Sequence, residues 1–68
     1  MKVEDLEIGD VFMCDFTRCI IKSIDTRRGI KNKFRYGITV NVENDSEPNE
    51  YLLIFYTGDE VELIRRAQ

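Results

Sequence analysis

Apolar residues recur along this chain with period two rather than 3.6. Val11, Met13 and Asp15 alternate with Phe12, Cys14 and Phe16. Arg18 to Ile24 (RCIIKSI) is rich in β-branched residues. Tyr36 to Val42 (YGITVNV) sets Ile38, Val40 and Val42 on one face and Thr39 and Asn41 on the other. Tyr51 to Tyr56 (YLLIFY) is a continuous apolar run, and Glu60 to Ile64 (EVELI) alternates again with Val61 and Leu63 inward. Five short runs of this kind, bounded by Gly, Asp, Asn and Pro, predict an all-β meander.

The residues between the runs fit turns. Gly9-Asp10 precedes the first strand, and Asp15 to Arg18 reads as a short hairpin with Phe16-Thr17 as its two-residue loop. Asn44 to Asn49 (NDSEPN) reads as a loop, with Pro48 among turn formers. Thr57-Gly58-Asp59 reads as a short turn or one turn of 3₁₀ helix before the last strand. A helix over VEDLEI near the start is too short to stand alone, and Arg65 to Gln68 are expected to fray.

Five strands in 68 residues cannot stack as two broad sheets. Closing into a small barrel hides the edges that a flat sheet would leave open. The YLLIFY run then fits the central strand of such a barrel, where both faces are partly covered. The order LEIGDVF, hairpin, IIKSID, long basic loop, YGITVNV, loop, YLLIFYTGDEVELI resembles small SH3-like barrels, which carry a long hairpin after the second strand and a short 3₁₀ turn before the fifth. The ALYDY-type signature of eukaryotic peptide-binding SH3 domains is absent. The opening LEIGD and the close YTGDEVELI also resemble very small proteins coded by bacterial viruses and prophages. That resemblance implies an accessory protein acting in a bacterial cytoplasm on a host factor.

Composition narrows the class. The chain is 43% hydrophobic and 34% charged, as expected of a single globular domain rather than a disordered segment. A domain this small buries about 60% of the surface its unfolded form exposes, which leaves little room for a deep catalytic cavity. No apolar run approaches the length of a membrane-spanning helix. The opening MKVEDLEIGD is unlike a signal peptide, so a cytoplasmic location is expected.

Charge is unevenly placed. Arg27 to Arg35 (RRGIKNKFR) holds five positive charges and no negative one; the whole chain carries −3, so the other 59 residues carry −8. If Ile30 to Tyr36 are extended, Ile30, Asn32, Phe34 and Tyr36 share one face, and Lys31, Lys33 and Arg35 share the other. Such a stripe is either a solvated hairpin whose Phe34 and Tyr36 cap the barrel, or a binding face. As a binding face it would grip phosphates with an aromatic stacking a base, or dock on an acidic protein. A nucleic-acid binder is usually basic overall. Here the flanks Glu43 to Glu50 and Asp59 to Glu62 are acidic, and on the opposite side they would make a dipolar molecule suited to oriented protein docking. Protein binding therefore ranks above nucleic acid. The candidate residues are Arg27, Arg28, Lys31, Lys33, Phe34, Arg35 and Tyr36, cations to steer and aromatics to anchor.

Other chemistry is sparse. A Phe16-Thr17 loop would set Cys14 opposite Cys19, about 4.5–5.5 Å apart at Cβ, close to disulfide range; a pair of small buried hydrophobes is the simpler reading in a reducing compartment. Two thiolates without histidine make half a zinc site, which only dimerisation would complete. Glu4, Asp5, Glu7 and Asp10, like Asp59, Glu60 and Glu62, read as a solvated rim. With no histidine and no phosphate loop, Ser-His and Cys-His pairs and nucleotide cradles are excluded. No enzymatic activity, cofactor or metal is expected. Self-assembly remains a third function, because acidic and basic faces on one chain can pair head to tail or close a symmetric dimer.

Overall fold

A computed structural model describes residues 1–43 and 49–67. After a 3₁₀ turn at Val3–Asp5 come five strands: β1 (Val11–Cys14), β2 (Thr17–Arg28), β3 (Phe34–Val42), β4 (Glu50–Tyr56) and β5 (Glu62–Arg65). They form one antiparallel sheet in the order β4-β3-β2-β1-β5. The all-β expectation therefore holds. The sheet is not closed, because β4 and β5 are its two edges. YLLIFY is thus an edge strand, not the central strand its hydrophobicity suggests.

β2 is the spine. Twelve residues at about 3.3 Å each span roughly 40 Å, which matches the long dimension of a molecule measuring 40 × 22 × 20 Å. Its sequence carries Ile21 and Ile24 at a spacing of three, which in a regular strand would face opposite sides. A bulge resolves this. Ile21 pairs with Val40 and Ser23 with Thr39, so Lys22 is the extra residue and Ile24 returns to the inner face opposite Ile38. An extra residue of this kind also bends the strand. Ile21, Ile38 and Val40 are fully buried, and Ile24 packs against them.

Phe12 completes the core from β1, completely buried and edge-to-face with Phe55 at a centroid distance of 6.1 Å. The opening segment adds to it. Val3 N–H donates to Asp59 O, Met1 and Val61 exchange backbone hydrogen bonds, and Val3 and Leu6 enter the core. The 3₁₀ turn thus sits at Val3–Asp5, where tertiary contacts hold a segment too short to be stable alone. Before β5, Asp59 N–H instead donates to Tyr56 O across a two-residue turn with Gly58 at φ 92°.

Two more expectations are corrected. The β1–β2 turn is Asp15-Phe16, one residue earlier than expected, so Cys14 pairs with Thr17 and Cys19 with Phe12. The two cysteines are diagonal, not opposed, and both are free. Arg65 to Ala67 do not fray either. Arg65 lies in β5, and Arg66 and Ala67 reach back to Asp10. Of the expected 44–49 loop, residues 44–48 lie outside the described residues, as does Gln68.

Asp10 is where the solvated-rim reading fails. It has no exposed surface. The turn Glu7 to Asp10, with Gly9 at φ 95°, aims the Asp10 carboxylate back at Glu7 N–H, 2.9 Å away. Ala67 N–H donates to it at 2.8 Å and Arg66 Nη1 at 2.9 Å. Burial alone would push this carboxyl up. The two backbone donors and the guanidinium outweigh that, so it lies below the usual range. One side chain thereby ties the first turn, the start of β1 and the segment after β5 together.

Candidate binding surface on the β2–β3 hairpin

The basic block is the end of the long hairpin. Ile30 to Lys33 make its turn: Lys33 N–H donates to Ile30 O at 3.3 Å, and Lys31 and Asn32 have φ 58° and 64°. Two consecutive left-handed residues define a type I′ turn, whose twist suits an antiparallel hairpin. Asn32 tolerates that conformation and Lys31 is strained in it. Gly29 N–H donates to Lys33 O at 2.7 Å. A Cβ at position 29 would lie 2.7 Å from that same oxygen, so the close approach requires glycine.

This turn breaks the expected stripe. Residues 30–36 are not one extended strand, and Lys31 and Lys33 sit at the tip instead of sharing a strand face with Arg35. From Phe34 onward the alternation is regular. Phe34 pairs with Arg28 and Tyr36 with Thr26; Arg35 pairs with Arg27 on one side and Tyr56 on the other. The candidates therefore divide three ways. Arg28, Phe34 and Tyr36 belong to the inner face, Arg27 and Arg35 to the outer face, and Lys31 and Lys33 to the tip. Tyr36 is half-buried against the core, whereas Phe34 keeps 44% of its surface exposed.

Electrostatically the hairpin stands apart. Arg27 pairs with Asp25 at 3.0 Å. Arg28, Lys31, Lys33 and Arg35 make no ion pair among the described residues. Three acidic residues elsewhere are ion-paired with cations outside the block: Glu60 with Lys2, Glu43 with Arg65 and Asp10 with Arg66. The acidic flanks are not both opposite the hairpin. Glu43 and Glu50 lie at the far end of β3, but Thr57 is hydrogen-bonded to Phe34, so 59–62 starts near the hairpin's tip.

The outer face also holds a patch that the sequence reading passed over. Leu52 and Tyr56 are 64% and 47% exposed, and Ile54 stands between them. Ile54 pairs with Gly37, which offers no side chain to cover it. The available signal was YLLIFY itself: a strand apolar on both faces in a domain too small to cover both.

A shallow pocket of about 270 Å³ opens near the β1–β2 turn, lined by Cys14, Cys19, Val40, Val42, Tyr51 and Leu53 among others. Burial pushes both thiols up, so neither is an activated nucleophile at neutral pH. Among the described residues no group of three or more His, Cys, Asp or Glu could hold a metal ion, and no helix is long and apolar enough to cross a membrane. Comparison of the chain with protein-family models, with curated proteins and with solved structures gave no match.

Proposed function

We propose that this chain is a non-enzymatic binding module, a partly open SH3-like barrel whose β2–β3 hairpin docks on an acidic surface of another protein. The barrel reading is supported by β5 returning beside β1 and by a long, bulged β2. In this reading the protein serves a bacterial virus or prophage in the host cytoplasm and acts on a host protein. One observation carries the binding assignment: in a chain with 13 acidic residues, four of the five hairpin cations have no ion pair among the described residues. Unpaired cations steer an acidic partner, and exposed Phe34 supplies an apolar anchor.

The test is the triple charge reversal Arg28→Glu, Lys31→Glu, Lys33→Glu. All three side chains are exposed, so the circular dichroism spectrum should match that of the parent. Retention of acidic host proteins on the immobilised chain should be lost; retention at the parent level refutes the assignment. Arg28 and Phe34, cross-strand partners that are both exposed, support a second reading as a nucleic-acid platform. That reading requires binding that weakens steeply with salt. A labelled oligonucleotide showing no anisotropy change at low salt removes it.

A further inference from the structure

β4 is an edge with open peptide groups. Thr57 and Phe34 face each other as a hydrogen-bonded position, Thr57 N–H donating to Phe34 O and Phe34 N–H to Thr57 Oγ1. The antiparallel ladder alternates from there. The N–H and C=O groups of Phe55, Leu53 and Tyr51 therefore point to β3, and those of Tyr56, Ile54, Leu52 and Glu50 point outward. Tyr56 is already satisfied, since its N–H donates to Asp59 Oδ2 at 2.8 Å and its carbonyl accepts from Asp59 N–H at 2.9 Å. Glu50, Leu52 and Ile54 have no partner for these outward groups among the described residues. Protein edges are usually blunted by Lys, Pro or a bulge; Glu50–Tyr56 has no Lys or Pro, and its pairing with β3 runs without a register shift.

We propose that a second copy of this chain covers this edge, β4 against β4, antiparallel about a two-fold axis at Leu52. That register uses every open group. Leu52 pairs with the partner's Leu52, Glu50 with the partner's Ile54 and Ile54 with the partner's Glu50, two hydrogen bonds to each pair. Pairing stops where Asp59 has capped Tyr56. Half-exposed Tyr51 comes opposite the partner's Leu53 on the inner face, and the two Leu52 side chains meet on the outer face.

Charge selects this arrangement. Glu50 is the only charged residue of β4 and lies at its first position; Arg35 and Arg27 stand on the outer face in register with Tyr56, at the last. Antiparallel pairing carries each Glu50 to the partner's basic end, one outer-face position from the row of the partner's Arg35, which has no ion pair within its own chain among the described residues. Parallel pairing would set the two Glu50 side by side. The contact is isologous and closed. It is small, at the low end of specific interfaces, so the dimer exchanges with monomer. It does not involve Arg28, Lys31 or Lys33, so the charge reversal that tests the hairpin leaves it intact.

Sedimentation velocity of the full chain from about 10 µM to about 1 mM should show a concentration-dependent shift from monomer to dimer. Leu52→Lys puts two like charges at the axis on an exposed position and should remain monomeric throughout with an unchanged circular dichroism spectrum. Ile54→Pro removes an outward N–H, a change that edge strands accept, and should do the same. Glu50→Lys should raise the dissociation constant several-fold, and adding Arg35→Glu should restore it. A parent chain that stays monomeric to about 1 mM overturns the proposal and reassigns the edge to a strand of some other protein. A Leu52→Lys variant that dimerises as the parent does overturns it as well.

Discussion

Replacing Asp10 by alanine removes the acceptor for Glu7 N–H, Ala67 N–H and Arg66 Nη1 at one stroke. Hydrogen bonds to a charged group contribute about 1.5–3 kcal/mol each when the partners stay buried. Here the three donor residues are themselves exposed and regain water when the carboxylate goes, so about 1 kcal/mol apiece is the appropriate scale. The expected loss is about 3 kcal/mol, against a total of about 3–10 kcal/mol for a domain of this size. With a urea dependence near 1 kcal/mol per molar, the unfolding midpoint should fall by about 2–3 M. Arg66→Ala removes only the half-exposed guanidinium and should cost about 1 kcal/mol. The double variant should then be less destabilised than the sum of the two, because the pair they share is lost only once. Urea unfolding followed by circular dichroism at pH 7 measures all three. A loss below about 1 kcal/mol for Asp10→Ala would mean that the carboxylate does not hold the segment after β5.

Three further outcomes follow from the same contacts. The folded-state pKa of Asp10 is depressed, so its contribution is fully present above its unfolded-state value and is lost as pH falls through the folded one; unfolding midpoints should drop in acid for the parent and change less for Asp10→Asn. Gly9→Ala places a Cβ 2.9 Å from the Ala67 Cβ at φ 95°, whereas Gly58→Ala meets open space at φ 92°, so Gly9→Ala should cost more than the roughly 1–2 kcal/mol of backbone strain that both share; equal losses in thermal unfolding would contradict this. Phe12→Ala empties a completely buried site against Phe55 at a cost of about 3–5 kcal/mol, and a cooperative urea transition at the parent midpoint would contradict its place in the core.

The strand content was legible because period-two burial is a local property. Ile38 and Val40 face inward as the alternation in YGITVNV requires, and the inward Val61 and Leu63 of EVELI hold too. What was not legible depends on pairing across distance. YLLIFY reads as a doubly covered strand by composition, but whether an apolar strand is central or an edge is decided by which strands flank it. Asp10 reads as one carboxylate among four until its donors at 66 and 67 are known, 56 and 57 residues away. The cysteine register slipped by one because Asp15 takes the positive φ of the turn in place of a glycine. At the candidate site the seven residues were found as a block, while their division over two faces and a tip hinged on the left-handed Lys31-Asn32 pair. Asn32 was the available signal, since asparagine favours that conformation.

The carboxylate of Asp10 also sets an order of events in biosynthesis. β1 lies between β2 and β5, and two of the three donors that satisfy Asp10 follow it by 56 and 57 residues. A nascent chain can complete the β2–β3 and β3–β4 hairpins, which need only neighbours in sequence, while β1 still has one side open and Asp10 lacks two of its three donors. The full set of contacts around Asp10 can therefore form only after residue 67 has left the ribosome.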